Sequence, residues 1–283
     1  MDLIDLHVHT TASDGSHEPA RLVDLAREIG LKALGVTDHD TVDGLDQALV
    51  RGRETGFEVV PGIEISSEFS PGTMHMLGYF VDHLQTSFTS RLNELQEARR
   101  RRNPQMVEKL NGLGFGLTLA EVEAAAGGGQ VGRPHFARVM VAKGYVPDSK
   151  EAFDKYLAKG RPAYMDKFRL SPAESIALIA QAGGLAVLAH PLTLKLAPAE
   201  LENLVAGLKE AGLAGIEVYY SEHTPQMALK YLALAAKFDL APTGGSDFHG
   251  DSKGGISLGR GFGNLAVPYA FLDGLKKRRK AAS

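Results

Sequence analysis

Short apolar strands alternate with amphipathic helices along most of this chain, and that rhythm restricts its fold more than any other feature. Residues 4–9 read as a strand, and residues 19–29 as a helix stopped by Gly30. Strands over 33–37, 58–65 and 75–81 follow, with a helix over 42–55 that Gly56 ends. The rhythm resumes at Ser171-Pro172-Ala173-Glu174, which supplies an N-cap, a proline at the first helical position and a capping-box carboxylate. That helix ends at Gly183-Gly184. Strands over 185–189, 215–220 and 241–244 then alternate with helices over 198–211 and 225–238.

Repeated β-α units imply a parallel sheet, either open and doubly wound or closed into a barrel. No glycine-rich phosphate loop follows the first strand, which disfavours the dinucleotide-binding form. Polar residues instead recur where strands end, as in a barrel whose chemistry sits at its strand C-terminal face. The expected fold is α/β, a TIM-like barrel.

Residues 86–165 break the rhythm. They hold no convincing strand and carry 13 Lys and Arg against 8 Asp and Glu, a charge of +5. The whole chain is at −3, so the remainder carries −8. Thr118 through Glu121 and Asp148 through Glu151 read as capping boxes, and Asn103-Pro104 as an N-cap followed by a first-turn proline. The reading is a barrel over 1–85 and 166–283, with a helical insertion over 86–165 covering its active site. The arginines at 99–102 read as a solvated helix face, and the basic run at 276–280 as a solvated tail.

Composition removes several classes of function. With no cysteine there is no disulfide, thiolate metal site or cysteine nucleophile, which suits a reducing cytoplasm. No apolar run approaches the roughly 18 residues of a membrane span, and the N-terminal stretch lacks a signal pattern, so a cytoplasmic location away from membranes is expected. A slightly negative charge and 7% aromatic residues argue against a nucleic-acid coat protein. Nothing implies a protein partner.

Chemistry gathers at the strand ends. His7 and His9 lie two apart on the first strand and so point to one side, with Asp14 just beyond it. His39 follows the second strand, Glu64 ends the third, His75 begins the fourth and His190 follows the strand over 185–189. Asp247 and His249 repeat the two-apart pattern. Buried together, such groups are costly unless a cation resolves them, and imidazole with carboxylate suits Zn, Mn or Fe. A two- or three-metal site would activate a bridging water and stabilise both attacking and leaving oxygens.

The residues carrying this pattern are Asp5-Leu6-His7-Val8-His9, Thr37-Asp38-His39-Asp40, Pro61-Gly62-Ile63-Glu64, Ala189-His190-Pro191 and Gly245-Ser246-Asp247-Phe248-His249. In order, spacing and flanking residues they resemble the PHP (polymerase and histidinol phosphatase) family. The resemblance implies a distorted (β/α)7 barrel, two or three divalent metal ions and phosphoesterase activity. It places His7, His9, Glu64 and Asp247 around one ion, with Glu64 bridging to a second held by His75 and His190. Asp14, His39 and His249 would hold a third. Asp14 stands where histidinol phosphatase relatives often carry histidine, a harder ligand that favours Mn²⁺ over Zn²⁺. No ligand position is missing, unlike in the degenerate PHP domains fused to polymerases.

The middle segment, with Gly132-Arg133-Pro134-His135 and Lys159-Gly160-Arg161, looks like the insertion of stand-alone PHP phosphoesterases. That group includes 3′,5′-nucleoside bisphosphate phosphatases and a 5′→3′ exoribonuclease acting on short 5′-phosphorylated RNA. The implied reaction is removal of the 3′-phosphate, as from adenosine 3′,5′-bisphosphate to AMP, by a metal-bridging hydroxide. Glu64, Asp247 and His190 would be catalytic. Arg133 is the first candidate for the second phosphate, followed by Lys159 and Arg161, which read equally as surface charge. His135 and His223 would contact phosphate or protonate the leaving oxygen. Histidinol phosphatase fits less well, having no use for a second anion pocket, and a non-catalytic metal-stabilised module is the reading from another class.

Overall fold

A computed structural model of the chain describes residues 2–282. The first half runs β1 (Leu3–Val8), α1 (Pro19–Glu28), β2 (Ala33–Val36), α2 (Leu45–Thr55), β3 (Glu58–Ser67) and β4 (Met74–Tyr79). A helical stretch follows as α3 (Thr86–Gly112), α4 (Leu119–Ala125), α5 (Arg133–Ala142) and α6 (Ser149–Ala152). The second half is α7 (Pro172–Gln181), β5 (Leu185–Leu188), α8 (Pro198–Glu210), β6 (Gly215–Tyr220), α9 (Pro225–Lys237), β7 (Ala241–Gly245), β8 (Val267–Pro268) and α10 (Ala270–Ala282).

These strands form one curled sheet in the order β7-β6-β5-β4-β3-β2-β1-β8. At the top, the chain beyond β7 pairs with the end of β1: Asp247 N donates to His7 O at 2.8 Å and His9 N to Phe248 O at 2.9 Å. At the bottom, two-residue β8 pairs antiparallel with the start of β1. The result is the distorted seven-unit TIM-like barrel with a helical insertion.

The sheet is not wholly parallel. β4 runs antiparallel to both β3 and β5. Only residues 68–73 join β3 to β4, whereas a parallel crossover needs about a dozen residues or more. Reversal has two consequences. His75, at the start of β4, lies at the same end as the last residues of the parallel strands. The end of β4 lies at the bottom, so the 27-residue α3 must climb about 40 Å to bring the insertion to the top.

Three further expectations are corrected. Asn103-Pro104 starts no helix but sits inside α3. Pro104 forfeits one backbone bond, while Leu92 and Leu95 on one side and Met106 and Leu110 on the other keep one face of the helix buried along its length. The helix expected from residue 42 starts at Leu45, because the Thr41 hydroxyl accepts Asp43 N–H and holds a turn there. The basic run at 276–280 belongs to α10, a docked helix: Leu272 and Leu275 are buried, Lys276 pairs with Glu58 and Arg278 with Asp239. These partners stand at the strand N-terminal end, so α10 faces away from the strand-end histidines.

Packing separates barrel and insertion. Phe88, Leu92 and Leu95 of α3 join the main cluster between sheet and helices. From Met106 onward the apolar residues form a cluster of their own with Phe136, Met140 and Leu157. Inside the barrel, the β1–β2 register slips between Asp5 and Val8. The slip changes the phase of alternation, so Leu6 and His7 both contribute to the interior.

The barrel seam is held by Asp5, which is fully buried. It accepts Ser246 N–H at 2.8 Å, the Ser246 hydroxyl at 2.5 Å and Gly259 N–H at 2.8 Å. Beside it Gly245 lies so close to β1 that an added Cβ would meet His7 Cβ at 2.3 Å and His7 N at 2.4 Å. Gly245→Ala is therefore expected to destabilise the metal-free protein by about 1–3 kcal/mol. Urea unfolding in chelator measures this; wild-type stability would mean that the seam relaxes freely.

Candidate metal centre

The strand-end groups expected from the sequence meet at the top of the barrel. Glu64 stands at the middle, fully buried, with its two oxygens facing different partners. Its Oε1 lies 2.7 Å from His75 Nδ1 and 2.9 Å from His190 Nε2. Its Oε2 lies 3.0 Å from His39 Nδ1, 3.2 Å from His9 Nε2 and 3.4 Å from His7 Nε2. Asp247 Oδ1 is 3.1 Å from His9 Nε2, and Asp14 Oδ1 is 3.3 Å from His249 Nε2.

Three groupings bring their ligating atoms within 4.8 Å of one another: His7, His9, Glu64, Asp247; His9, Asp14, His39, His249; and His39, Glu64, His75. His9, His39 and Glu64 are thus each shared between two groupings. His190 approaches through Glu64.

Backbone strain marks the same place. Asp40, His190 and Asp247 have φ of 53°, 22° and 56° without being glycine. Such conformations cost on the order of 1–3 kcal/mol each and persist where surrounding bonds enforce them.

The residues present suit a divalent cation. Among the described residues nine buried side-chain polar atoms lack a hydrogen-bond partner, and five of them lie here: His7 Nε2, both ring nitrogens of His9, His39 Nδ1 and Glu64 Oε2. Mixed imidazole and carboxylate donors match Mn, Fe or Zn. Electrostatics agree. Burial pulls the His9 imidazole down, but Asp247 and Glu64 outweigh it and raise it from 6.5 to about 10. Burial, joined by the neighbouring His9 and His75, sends His39 down to about 3 against the pull of Glu64 and Asp14. Burial also opposes ionisation of Glu64, Asp14 and Asp247, yet adjacent imidazoles hold the first two, and Lys253 followed by the imidazoles holds the third, well below the usual carboxylate range.

The PHP domain family matches residues 5–159 of this sequence. A 5′-3′ exoribonuclease from Haemophilus influenzae is 33% identical over 256 residues, covering 90% of this chain and 93% of its own. The chain belongs to the PHP family. A 3′,5′-nucleoside bisphosphate phosphatase from Chromobacterium violaceum is 32% identical over 260 residues, 92% of this chain and 91% of that one. Among solved structures, a Bifidobacterium adolescentis protein provisionally assigned as a metal-dependent phosphoesterase superposes with a TM-score of 0.88 at 31% identity. That superposition covers 98% of this chain and 96% of the other. No helix among the described residues is long and apolar enough to cross a membrane.

Above the PHP cluster lies a cavity of about 850 Å³, lined by the strand-end groups and by Arg99, Arg133, Phe153, Tyr220 and Lys253. Arg133 opens α5, stacks over Tyr164 at 5.4 Å and donates to Leu157 O at 3.3 Å. Lys159 lines an adjoining recess with Arg133, Lys167, Arg169 and His75. The other three expected contacts do not line either space. Arg161 is exposed, His135 Nδ1 accepts Gly132 N–H as a helix cap, and His223 donates to Val218 O behind Tyr220.

The arginines read as a solvated face are two kinds. Arg100 and Arg101 are exposed and pair with Glu97. Arg99 and Arg102 are 8% and 4% exposed and turn inward. Arg99 Nη2 lies 2.6 Å from Asp40 Oδ2, which Lys167 approaches at 3.2 Å. Burial lowers Lys167 to about 7. Arg102 has no acidic partner among the described residues and donates to Asn103 Oδ1 at 2.7 Å. Sequence reading also missed Tyr220 and Lys253, which hold Asp247 Oδ2 at 3.0 and 2.7 Å. Asp38, missed too, anchors the loop carrying Asp14 through Thr10 and Ser13.

Cation ligation requires neutral imidazole, so metal binding must displace the protons that the carboxylates hold on His7 and His9. In metal-free protein those raised groups contribute stability that is complete below pH 6.5 and lost as pH rises toward about 10. Apparent Mn²⁺ affinity, and the thermal shift Mn²⁺ produces, should therefore both increase across that window. Titration calorimetry in buffers of different ionisation heat should show proton release. Affinity independent of pH would contradict this account.

Proposed function

We propose that this chain removes the 3′-phosphate from 3′,5′-nucleoside bisphosphates, using two or three divalent metal ions, Mn²⁺ first among them. The chain is a phosphoric ester hydrolase; the substrate and the roles below are our reading. One observation carries it. The acidic, histidine-rich cluster faces a set of buried and half-buried cations across a single cavity: Arg99 and Arg133 line it, and Arg102, Lys167 and Arg169 stand behind them. Arg102 and Arg133 have no acidic partner among the described residues, so an anion from outside is the natural complement. The Chromobacterium relative is named for such a substrate.

Each role follows from placement. His7, His9, Glu64 and Asp247, then His75 and His190, then Asp14, His39 and His249 would hold the ions, with Glu64 spanning two of them. Bound ions would supply Lewis-acid polarisation of the phosphoester and activate water for attack. Tyr220 and Lys253 hold one oxygen of Asp247 and so keep the other turned toward the histidines. Arg133, with Lys159 and Lys167 beside it, would bind the phosphate that stays. Pro134, Val141, Pro147 and Phe153 give the cavity an apolar wall suited to a nucleoside.

A second reading, 5′→3′ trimming of short RNA, is favoured by the Haemophilus relative and by a neighbouring cavity of about 650 Å³ that also touches Arg99. That cavity sets Glu18, Asp43 and Glu123 against Arg99 and Arg100, a net acidic wall that disfavours a phosphate backbone. The bisphosphate is therefore preferred. Rates with Mn²⁺ on adenosine 3′,5′-bisphosphate and on short 5′-phosphorylated RNA decide between them.

Two variants test the assignment. Glu64→Gln removes the charge shared between ions and should abolish most activity together with Mn²⁺ retention; full turnover would remove Glu64 from the site. Arg133→Ala should lose about 10- to 100-fold in kcat/KM on the bisphosphate, since a charged hydrogen bond contributes roughly 1.5–3 kcal/mol and each ~1.4 kcal/mol is tenfold. A generic aryl phosphate should lose little. Equal losses on both would place Arg133 at the metals or in the fold.

A further inference from the structure

We propose that Glu217 is a positioning residue that locks His7 and His190, on opposite sides of Glu64, into metal-binding geometry. The inference rests on the metal reading above and adds a residue outside the ligand set. Glu217 lies within β6, is fully buried and does not line the cavity. Both of its oxygens are committed to the centre. Oε1 lies 3.0 Å from His7 Nδ1, and Oε2 accepts the backbone N–H of His190 at 2.7 Å.

The first contact sets a tautomer. A buried carboxylate only accepts, so His7 places a proton on Nδ1 and donates it to Glu217. His7 Nε2, which faces Glu64 Oε2 and Asp247 Oδ1 at 3.4 Å each, is then the nitrogen left to take an ion. This is the arrangement in which a histidine ligand is oriented and made more basic from behind.

The second contact holds a backbone. His190 has φ of 22° and ψ of 70°, outside the ordinary wells, and its N–H is fixed by Glu217. In that conformation His190 Nε2 reaches Glu64 Oε1 at 2.9 Å. One carboxylate therefore serves a ligand of the Oε2 side and a ligand of the Oε1 side of Glu64. The sequence offered no hint, because Glu217 is an interior residue of an otherwise apolar strand.

Glu217→Gln separates this role from bulk. Glutamine keeps the shape but has one accepting oxygen and one amide that only donates. The His190 N–H cannot become an acceptor, so it claims the oxygen. The amide then faces His7 Nδ1 and forces the proton onto Nε2, toward the ions. Expected for Glu217→Gln is Mn²⁺ binding about 10- to 100-fold weaker by calorimetry, with the thermal midpoint in chelator near that of wild type. Binding as tight as wild type would overturn the proposal, as would a variant whose weaker binding only tracks a lower midpoint in chelator.

A second measurement needs no variant. In ¹⁵N-histidine NMR of the Zn²⁺-loaded wild-type protein, His7 should be protonated at Nδ1 and metal-bound through Nε2. An unprotonated Nδ1 would overturn the proposal even if Glu217→Gln fails to fold. Wild-type protein that takes up neither ion would bring down the metal reading itself. Tight wild-type binding with an indifferent Glu217→Gln would remove only this inference.

Discussion

A single buried carboxylate, Glu64, organises the upper half of this molecule. Five imidazoles surround its two oxygens within 3.4 Å. No apolar core would tolerate such a concentration of polar atoms without compensation, and removing them from water costs several kcal/mol per unpaired group. Each oxygen of Glu64 serves a different set of partners, so the residue belongs to no single grouping. The barrel can be understood as the scaffold that brings strand ends of different direction to this point. The strained backbones at Asp40, His190 and Asp247 are where that convergence is held against local preference.

The reversed strand matters as much as the ligands. With β4 antiparallel, its first residues rather than its last reach the top, and His75 enters the centre from a position that would otherwise be at the barrel floor. The same reversal leaves the chain at the floor after β4. The long α3 corrects this by running the height of the barrel, and its Arg99 and Arg102 turn inward near the rim. Acidic floor and basic wall of one cavity thus follow from the direction of a single strand.

What was legible in the sequence was local. Alternation made His7 and His9 neighbours, the box at Ser171 and Glu174 started α7 as expected, and the motif residues at strand ends meet at the top of the barrel. What escaped depended on partners distant in sequence. The arginines of 99–102 form one charged run, yet Arg99 is buried because Asp40, 59 residues away, awaits it. Asn103-Pro104 has the form of a helix start, but two apolar clusters on either side keep α3 continuous. His135 and His223 read as phosphate contacts, yet each commits its Nδ1 to a backbone group away from the cavity. The β1 phase slip left no sequence signature, since both Leu6 and His7 can be buried.

Asp40 shows how metal centre and insertion are joined. It follows His39, its N–H donates to Glu64 O at 2.9 Å, and its Oδ1 accepts Ser66 N–H at 2.8 Å. Its Oδ2 takes Arg99 from α3 and Lys167 from the irregular segment that leads back to α7. Burial opposes the charge on Asp40, but Lys167 and Arg99 prevail and hold it far below the ordinary carboxylate range. Moving the insertion away from the barrel would take Arg99 from this buried carboxylate, and breaking a buried pair costs about 3–5 kcal/mol. Arg99 at the cavity wall and Lys167 behind it are therefore fixed relative to Glu64 by the same residue that shapes the His39 loop. Distance between acidic cluster and basic wall is a built-in property of the fold, and a ligand bearing two anionic groups is measured against it.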